Sequence, residues 1–434
     1  MAGSSDRAPR VQLVRHGCRV NQADAEAVLH ACGARPPRDG ADVVLVSTCV
    51  VTADAESTAF QAVRRASRDH PGVPVVVVGC AGGLKRDELA RLEGVVAVVG
   101  PGEVERAADA VRAAALAASG NVAPCPSRST LPSPSSGVRA RPTIKIQDGC
   151  DQRCAYCVVP LARGRSRSLP LATALERVAE AGRQGDEVIL AGIHLGAYGR
   201  DLVAAGGRKP TLGVLVGEIA RRGLVHRVRL SSIDPLEIPV EALAGSAAAV
   251  LCGHFHLPLQ SGSTAVLRAM RRPYSAGEAA AAVEGISRAL PGACIGADVM
   301  SGFPGETEAD HRATVALVRA LPLAVLHVFT FSPRAGTVAA SMPGQVPASV
   351  ARDRAAELRA LSDASWRGYV DGLVGREVEA VVERVAGGEA RGTTREGVLA
   401  RWSLAADVAA PPRGRATGLR AVTREGDGLW CERA

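Results

Sequence analysis

The sequence predicts an α/β protein in three parts: an N-terminal parallel α/β domain, a central partial (β/α) barrel and a small C-terminal β-barrel. Three observations carry this. The first hundred residues hold three short apolar runs, "VQLVRHGC", "DVVLVSTC" and "VPVVVVGC", separated by helix-like stretches. A long central region repeats strand-then-helix signals about every 30 to 40 residues, as a β/α barrel does. The last segment, "REVEAVVERV", "GVLARWSLA", "GLRAVTREGDGLWCERA", alternates short strands with Gly turns, which suits a small antiparallel barrel.

Taken in order, the three N-terminal runs are β-branched and read as buried strands, each ending in a cysteine: Cys18, Cys49 and Cys80. "ADAEAVLHACGA" and "AESTAFQAVRRASRDH" lie between them as helices, so the alternation is β-α-β-α-β and the sheet is parallel. Ligands of such sheets collect beyond the carboxyl ends of the strands. The three cysteines therefore converge although 31 residues separate each from the next. Residues 121–142, "NVAPCPSRSTLPSPSSGVRARP", are rich in Pro and Ser and form a linker between a domain at 1–120 and one at 143–370. Six strands follow in "TIKIQDGC", "EVILAGIHLGAYG", "RVRLSSIDP", "HFHLPLQSGS", "ACIGADVMSGFPGE" and "AVLHVFTFSPRAGT", each ending in a polar or Gly-rich turn. "PASVARDRAAELRALSDASWRGYVDGLVG" is a helix leading out of the barrel, and residues 371–434 form the last domain.

Composition bounds the function. Hydrophobic residues are 47% and charged ones 22% of 434, as in a soluble globular chain and unlike a disordered one. The longest apolar runs fall far short of a membrane span, and "MAGSSDRAPR" lacks an apolar signal core, so a cytoplasmic protein with no membrane partner is expected. The net charge of +8 permits a polyanionic partner without requiring one. Clustering is more informative: Arg139, Arg141, Lys145, Arg153, Arg163, Arg165 and Arg167 face only Asp148 and Asp151 in that stretch. Eleven cysteines without a secretion signal point to metal or redox chemistry rather than a disulfide framework.

Spacing selects among the cysteines. "DGCDQRCAYCVVP" puts Cys150, Cys154 and Cys157 on one loop at C-x3-C-x2-C, directly after a strand. Zinc wants a fourth Cys or His at knuckle spacing, and the nearest downstream histidine, His194, lies on another turn. Three thiolates can instead hold three irons of a four-iron cluster and leave the fourth open to a substrate. Zinc with a distant fourth ligand, or three reduced cysteines without metal, are the alternatives. Singly, Cys18, Cys49 or Cys80 reads equally as a small buried hydrophobe; three in phase on consecutive parallel strands favour a second cluster.

These stretches, with "GCRVNQADAE", "STCVVTADAES", "VVVVGCAGG", "DGCDQRCAYCVVPLARGRSRS", "VILAGIHLGAYGRDL", "RLSSIDPLEI", "HLPLQSGSTAVLRAMRRPYS" and "GADVMSGFPGETEAD", resemble the radical S-adenosylmethionine (SAM) methylthiotransferase family over nearly the whole chain. The resemblance implies an N-terminal cluster domain, a radical SAM barrel and a C-terminal TRAM domain. It implies two [4Fe-4S] clusters, a radical SAM cluster on Cys150, Cys154 and Cys157 and an auxiliary one on Cys18, Cys49 and Cys80. Two SAM molecules serve each turnover in such a family, one methylating sulfur and one supplying the radical that opens a C–H bond. Residues at the barrel strand ends are then expected to contact SAM: Tyr156, Gly192, His194, Ser231, Ser232, Gln260, Ser261 and Asp298. The plain alternative for His194 or Asp298 is capping or orienting a neighbouring turn. Two departures surround the auxiliary cysteines: Ser47 stands where the family commonly has Asn, and "GCAGG" where it often has a Gln.

Members of the family modify an adenosine beside the tRNA anticodon, at position 37, bearing a threonylcarbamoyl or an isopentenyl group, or an aspartate of a ribosomal protein. "GCRVNQADAE", "PLARGRSRS" and "GIHLGAYGRDL" look most like the N6-threonylcarbamoyladenosine group. Partners so implied are the tRNA anticodon arm, a reductant such as flavodoxin or ferredoxin, and a sulfur donor. Arg163, Arg165 and Arg167, close after Cys157, are the expected RNA or substrate contacts; the alternative is a solvated arginine run.

Overall fold

In the computed structural model, which describes residues 8–37, 40–119, 139–203, 209–239, 243–404 and 409–433, the cysteine-terminated runs are neighbours in one parallel sheet. Its strands, in spatial order, are β1 (Val11–Val14), β2 (Val43–Thr48), β3 (Val75–Gly79) and β4 (Val95–Val99). The fourth strand, "VVAVV", carries no cysteine and was not among the expected ones. The helices are α1 (Arg19–Ala31), α2 (Ala53–Asp69), α3 (Cys80–Leu84), α4 (Arg86–Ala90) and α5 (Val104–Ser119). Every residue of β2 and β3 is buried because helices cover both faces. Val43 and Leu45 pack toward α1 and α5, while Val44 and Val46, pointing the other way, pack toward α2.

Residues 121–138 of the expected linker lie outside the described residues, and 139–142 lead directly into the second domain. There β5 (Thr143–Lys145), a short hairpin of β6 (Gln147–Asp148) and β7 (Arg167–Ser168), β8 (Glu187–Ala191), β9 (Arg227–Leu230), β10 (His254–Gln260), β11 (Cys294–Ser301) and β12 (Val325–Thr330) appear. The parallel order is β5-β8-β9 and β10-β11-β12, with α6 (Val159–Arg163) leaving the cysteine loop. The two halves meet where Cys252 N–H donates to Val228 O at 2.8 Å and Ile233 N–H to His256 O at 3.0 Å. Together they make six strands of a partial barrel. Val188, Leu190, Val228, Leu230, Phe255, Leu257, Ile295 and Val299 face the outer helices in one large core. The alternate positions, Glu187, Arg227, Arg229, His254, His256, Asp298 and His327, face the lumen, so this barrel has a charged interior.

The long helix Ala348–Asp371 leads to a closed barrel of β13 (Glu377–Ala386), β14 (Glu389–Thr394), β15 (Leu399–Ser403), β16 (Ala416–Glu425) and β17 (Gly428–Arg433), ordered β13-β14-β15-β17-β16. It plugs the amino end of the central barrel. Fully buried Arg227 donates to Glu379 O at 2.9 Å and Thr393 O at 2.8 Å, and Arg229 to Thr394 O at 2.8 Å. Both arginines also hold Glu187, each at 2.8 Å. Burial alone would raise the Glu187 carboxyl, but Arg229, Arg227 and Arg141 outweigh it and hold the group at about 2.

A depressed carboxyl gives stability that is present above its unfolded value and lost as pH falls toward the folded one. Glu187 therefore contributes about 3 kcal/mol at neutral pH, lost between roughly pH 4.5 and 2. Unfolding curves across that window are expected to show the loss in the wild type and a flatter profile in Glu187→Gln. Equal acid sensitivity of the two proteins would refute this role for Glu187.

Candidate active site

Two cysteine triads lie on either side of the junction of the first two domains, joined through Arg163. Cys150, Cys154 and Cys157 occupy the loop between β6 and α6, folded tightly by Gly149 at φ 70°, where a Cβ would lie 2.0 Å from Arg165 O. Arg272 Nη1 reaches Cys154 Sγ at 3.3 Å, and its other amine pairs with buried Asp234. His194 Nδ1 lies 3.7 Å from Cys150 Sγ, and its Nε2 meets Glu237 Oε2 at 2.6 Å. Burial pushes the Cys157 thiol up to about 12, so it is protonated until a metal displaces the proton.

Cys18 stands at the N-cap of α1, Cys49 follows β2, and Cys80 opens α3 directly after β3. Two glycines bring these turns together. A Cβ on Gly17 would sit 3.2 Å from Cys49 Cβ, and one on Gly79 would sit 2.6 Å from Thr48 O; both have left-handed φ, 92° and 102°. Asn21 ties the turns, donating to Thr48 O at 3.0 Å and accepting from Cys80 Sγ at 3.5 Å.

Arg163 joins the triads. Its Nε donates to Cys80 Sγ at 3.2 Å, its Nη1 to Asp24 Oδ2 at 3.1 Å and Asp148 Oδ1 at 2.7 Å, and its Nη2 to Asn21 Oδ1. With its side chain 0% exposed, it cannot meet RNA, which corrects the expectation for this residue. Arg165 and Arg167 are exposed beside it, Arg165 with 92% of its side chain in solvent. The wider basic cluster is also corrected. Arg139 pairs with Glu26, Arg141 with Glu187 and Glu383, and Lys145 with Asp24 and Asp148, all across domain boundaries or within the site.

Of the other expected contacts, Tyr156 lies in the cysteine loop and the rest lie on or just after barrel strands. Tyr156 packs edge-on against Phe303 at 6.5 Å between centroids, and burial holds its hydroxyl well above its usual acidity constant. Gly192 N–H donates to Ser231 Oγ at 3.3 Å. Ser232 Oγ is 2.6 Å from His256 Nδ1, and Asp298 Oδ1 is 3.1 Å from His256 Nε2. Ser261 Oγ meets Thr314 Oγ1 at 3.3 Å inside the protein. Gln260 holds a φ of 70°, uncommon for a non-Gly residue, and its buried Oε1 has no hydrogen-bond partner among the described residues. Strain together with an unsatisfied acceptor at a strand end suits a ligand contact. A cavity of about 520 Å³ opens beside the loop, lined by Gln152, Arg165, His194 and Arg200 among others. Sequence reasoning missed Arg272, Glu237 and Asn21, whose partners are brought in by other loops.

The donor chemistry fits a cluster better than a lone zinc. Each triad offers three thiols, which suit three irons of a four-iron cluster with one position open, whereas a closed zinc site takes four ligands.

Comparisons agree with this arrangement. Residues 144–318 match the model of the radical SAM superfamily, and residues 10–100 that of the uncharacterized protein family UPF0004. The threonylcarbamoyladenosine tRNA methylthiotransferase MtaB of Bacillus subtilis is 34% identical, covering 85% of this chain and 83% of its own. A tRNA-2-methylthio-N(6)-dimethylallyladenosine synthase of Frankia alni is also 34% identical, covering 91% and 83%. Among solved structures, the radical SAM methyltransferase TsrM of Kitasatospora setae superposes with TM-score 0.55 at 18% identity, covering 77% of this chain and 74% of that one, a likeness of fold. Among the described residues no helix is long and apolar enough to cross a membrane. The radical SAM fold implies a [4Fe-4S] cluster and SAM, and the thiols of Cys150, Cys154 and Cys157 suit them. With relatives of such identity spanning most of both chains, this protein belongs to the radical SAM methylthiotransferase family.

Proposed function

We propose that the protein converts N6-threonylcarbamoyladenosine at position 37 of tRNA to its 2-methylthio derivative, acting in the cytoplasm with a low-potential reductant and a sulfur donor. The observation that carries methylthio transfer is the bridge between the triads: buried Arg163 touches Cys80 on one side and Asp148, two residues before Cys150, on the other. Methylthio insertion needs a radical source and a sulfur source at one substrate carbon. Cys150, Cys154 and Cys157 would hold the first cluster; Cys18, Cys49 and Cys80 would hold the second. The clusters and SAM, when bound, supply the electron, the methyl group and the hydrogen-abstracting radical. This chain's residues do the rest. His194, held by Glu237, orients Cys150, Gln260 offers its unsatisfied Oε1, Tyr156 shields the loop from water, and Arg165 and Arg167 offer exposed cations to the RNA backbone.

The threonylcarbamoyl substrate is favoured by "GCRVNQADAE" and "GIHLGAYGRDL" and by the names of the Bacillus relative and of one from Thermotoga maritima at 33% identity. A dimethylallyl substrate is the second reading, because the Frankia relative is equally identical over more of this chain. Mass spectrometry of nucleosides from tRNA of cells lacking the protein is expected to show loss of 2-methylthio-N6-threonylcarbamoyladenosine with accumulation of its unthiolated precursor. An unchanged nucleoside profile would overturn the proposal.

A further inference from the structure

We infer that His256, Asp298 and His327 form a binding site for a divalent transition-metal ion of the zinc class, held by two imidazoles and one carboxylate in the barrel lumen and separate from both cysteine triads.

The strands set the three ligands side by side. Asp298 on β11 and His327 on β12 are register partners, and parallel partners project from the same face of a sheet. His256 on β10 pairs with Gly296, two residues before Asp298, so it reaches that face as well. One atom from each residue lies within 4.8 Å of those from the other two. The rings of His256 and His327 are perpendicular with centroids 4.7 Å apart, so they converge without stacking.

Three observations aim these atoms at an ion rather than at each other. His256 Nε2 lies 3.1 Å from Asp298 Oδ1 but off the line of a hydrogen bond, and it is buried without a hydrogen-bond partner among the described residues. Neighbouring N and O ligands stand about 3.0 Å apart in an octahedron and about 3.4 Å apart in a tetrahedron with bonds near 2.1 Å, and the observed separation falls between. An ordinary histidine–carboxylate hydrogen bond does form at His194–Glu237, His226–Glu379 and His311–Glu357, at 2.6, 2.9 and 2.8 Å. Second, Ser232 Oγ engages His256 Nδ1 at 2.6 Å. When Nδ1 donates to that hydroxyl, Nε2 carries the lone pair, which is how an outer partner orients a ligating imidazole. Third, the side chains of Asp298 and His327 make no hydrogen bond, and no ion pair beyond the His256 contact, among the described residues.

Two imidazoles and a carboxylate suit zinc and its first-row neighbours, whereas magnesium and calcium take oxygen ligands. Three protein ligands leave a coordination position open to the lumen, where His327 is exposed and an oxygen of water or of a bound ligand completes the shell. Asp298 is then a metal ligand rather than the SAM contact expected from its place on the strand.

The test is zinc uptake by holoprotein reconstituted with iron and sulfide beforehand, so that the cysteines are not free to take the zinc. Zinc outcompetes ferrous iron at nitrogen and oxygen ligands. After gel filtration wild type is expected to retain about one zinc per chain, with X-ray absorption showing nitrogen and oxygen at about 2.0–2.2 Å and no sulfur near 2.3 Å. His327→Ala and Asp298→Ala are expected to retain less than about a tenth of that zinc at unchanged iron content, and Ser232→Ala to bind it about 10- to 100-fold more weakly. If Asp298→Ala fails to fold, Asp298→Asn, which keeps the shape and removes the charge, replaces it. Zinc retained equally by His327→Ala, zinc in a sulfur shell, or no zinc retained by wild type overturns the site.

Discussion

Arg163→Met is expected to destabilise the protein by about 3–5 kcal/mol, the cost of stripping a buried charge pair of one partner. Asp24 and Asp148 are 5% and 7% exposed, and without the guanidinium Lys145 is the one cation among the described residues still paired with both. The loss is also topological. Asp24 and Asn21 belong to α1, Cys80 to α3 and Asp148 to the radical loop, so the variant unfastens the two domains as well as weakening each. Arg163→Lys keeps the charge but reaches one carboxylate instead of four acceptors, and is expected to recover less than half of the loss. Chemical denaturation gives the stability. Iron per chain after reconstitution gives the coupling, with the auxiliary site losing occupancy before the radical site. A destabilisation under about 1 kcal/mol would place Arg163 among exposed ion pairs and refute the bridge.

How much of this was legible in the sequence depended on whether the information was local. The C-x3-C-x2-C loop is read from eight consecutive positions, and the N-terminal triad from three runs with the same apolar phase. The six barrel strands were legible because each apolar run ends in a polar turn. Charge was not legible in that way. "ARGRSRS" offers three arginines with nothing to distinguish them, yet Gly164, at φ 74°, turns the chain so that Arg163 points inward while Arg165 and Arg167 point out. The carboxylate that claims Arg163 from α1 is 139 residues away. Counting nearby acids therefore overstated the free positive charge of this stretch. The charged lumen was hidden for a related reason: strand alternation says which residues share a face, but only the plug of the C-terminal barrel explains why Arg227 and Arg229 can be buried there.

Cys49→Ala is expected to separate the two halves of the reaction. Cys49 is 8% exposed and directly follows β2, on the N-terminal sheet rather than on the radical loop. Removing its sulfur subtracts one of three thiols from the auxiliary site and leaves Cys150, Cys154 and Cys157, with Arg272 and His194, as they were. On the proposed two-cluster reading, a cluster held by two cysteines is not retained, so iron per chain is expected to fall by about half. Reductive SAM cleavage, followed as 5'-deoxyadenosine, continues. Methylthiolated nucleoside is expected to fall below about one part in a thousand of wild type, because the proposed sulfur site has lost one of its three thiols. Cys150→Ala, in contrast, abolishes both products. The pair of variants discriminates between mechanisms: if Cys49→Ala still forms methylthiolated product, sulfur must reach the substrate without the N-terminal triad, and the two triads do not work as one site.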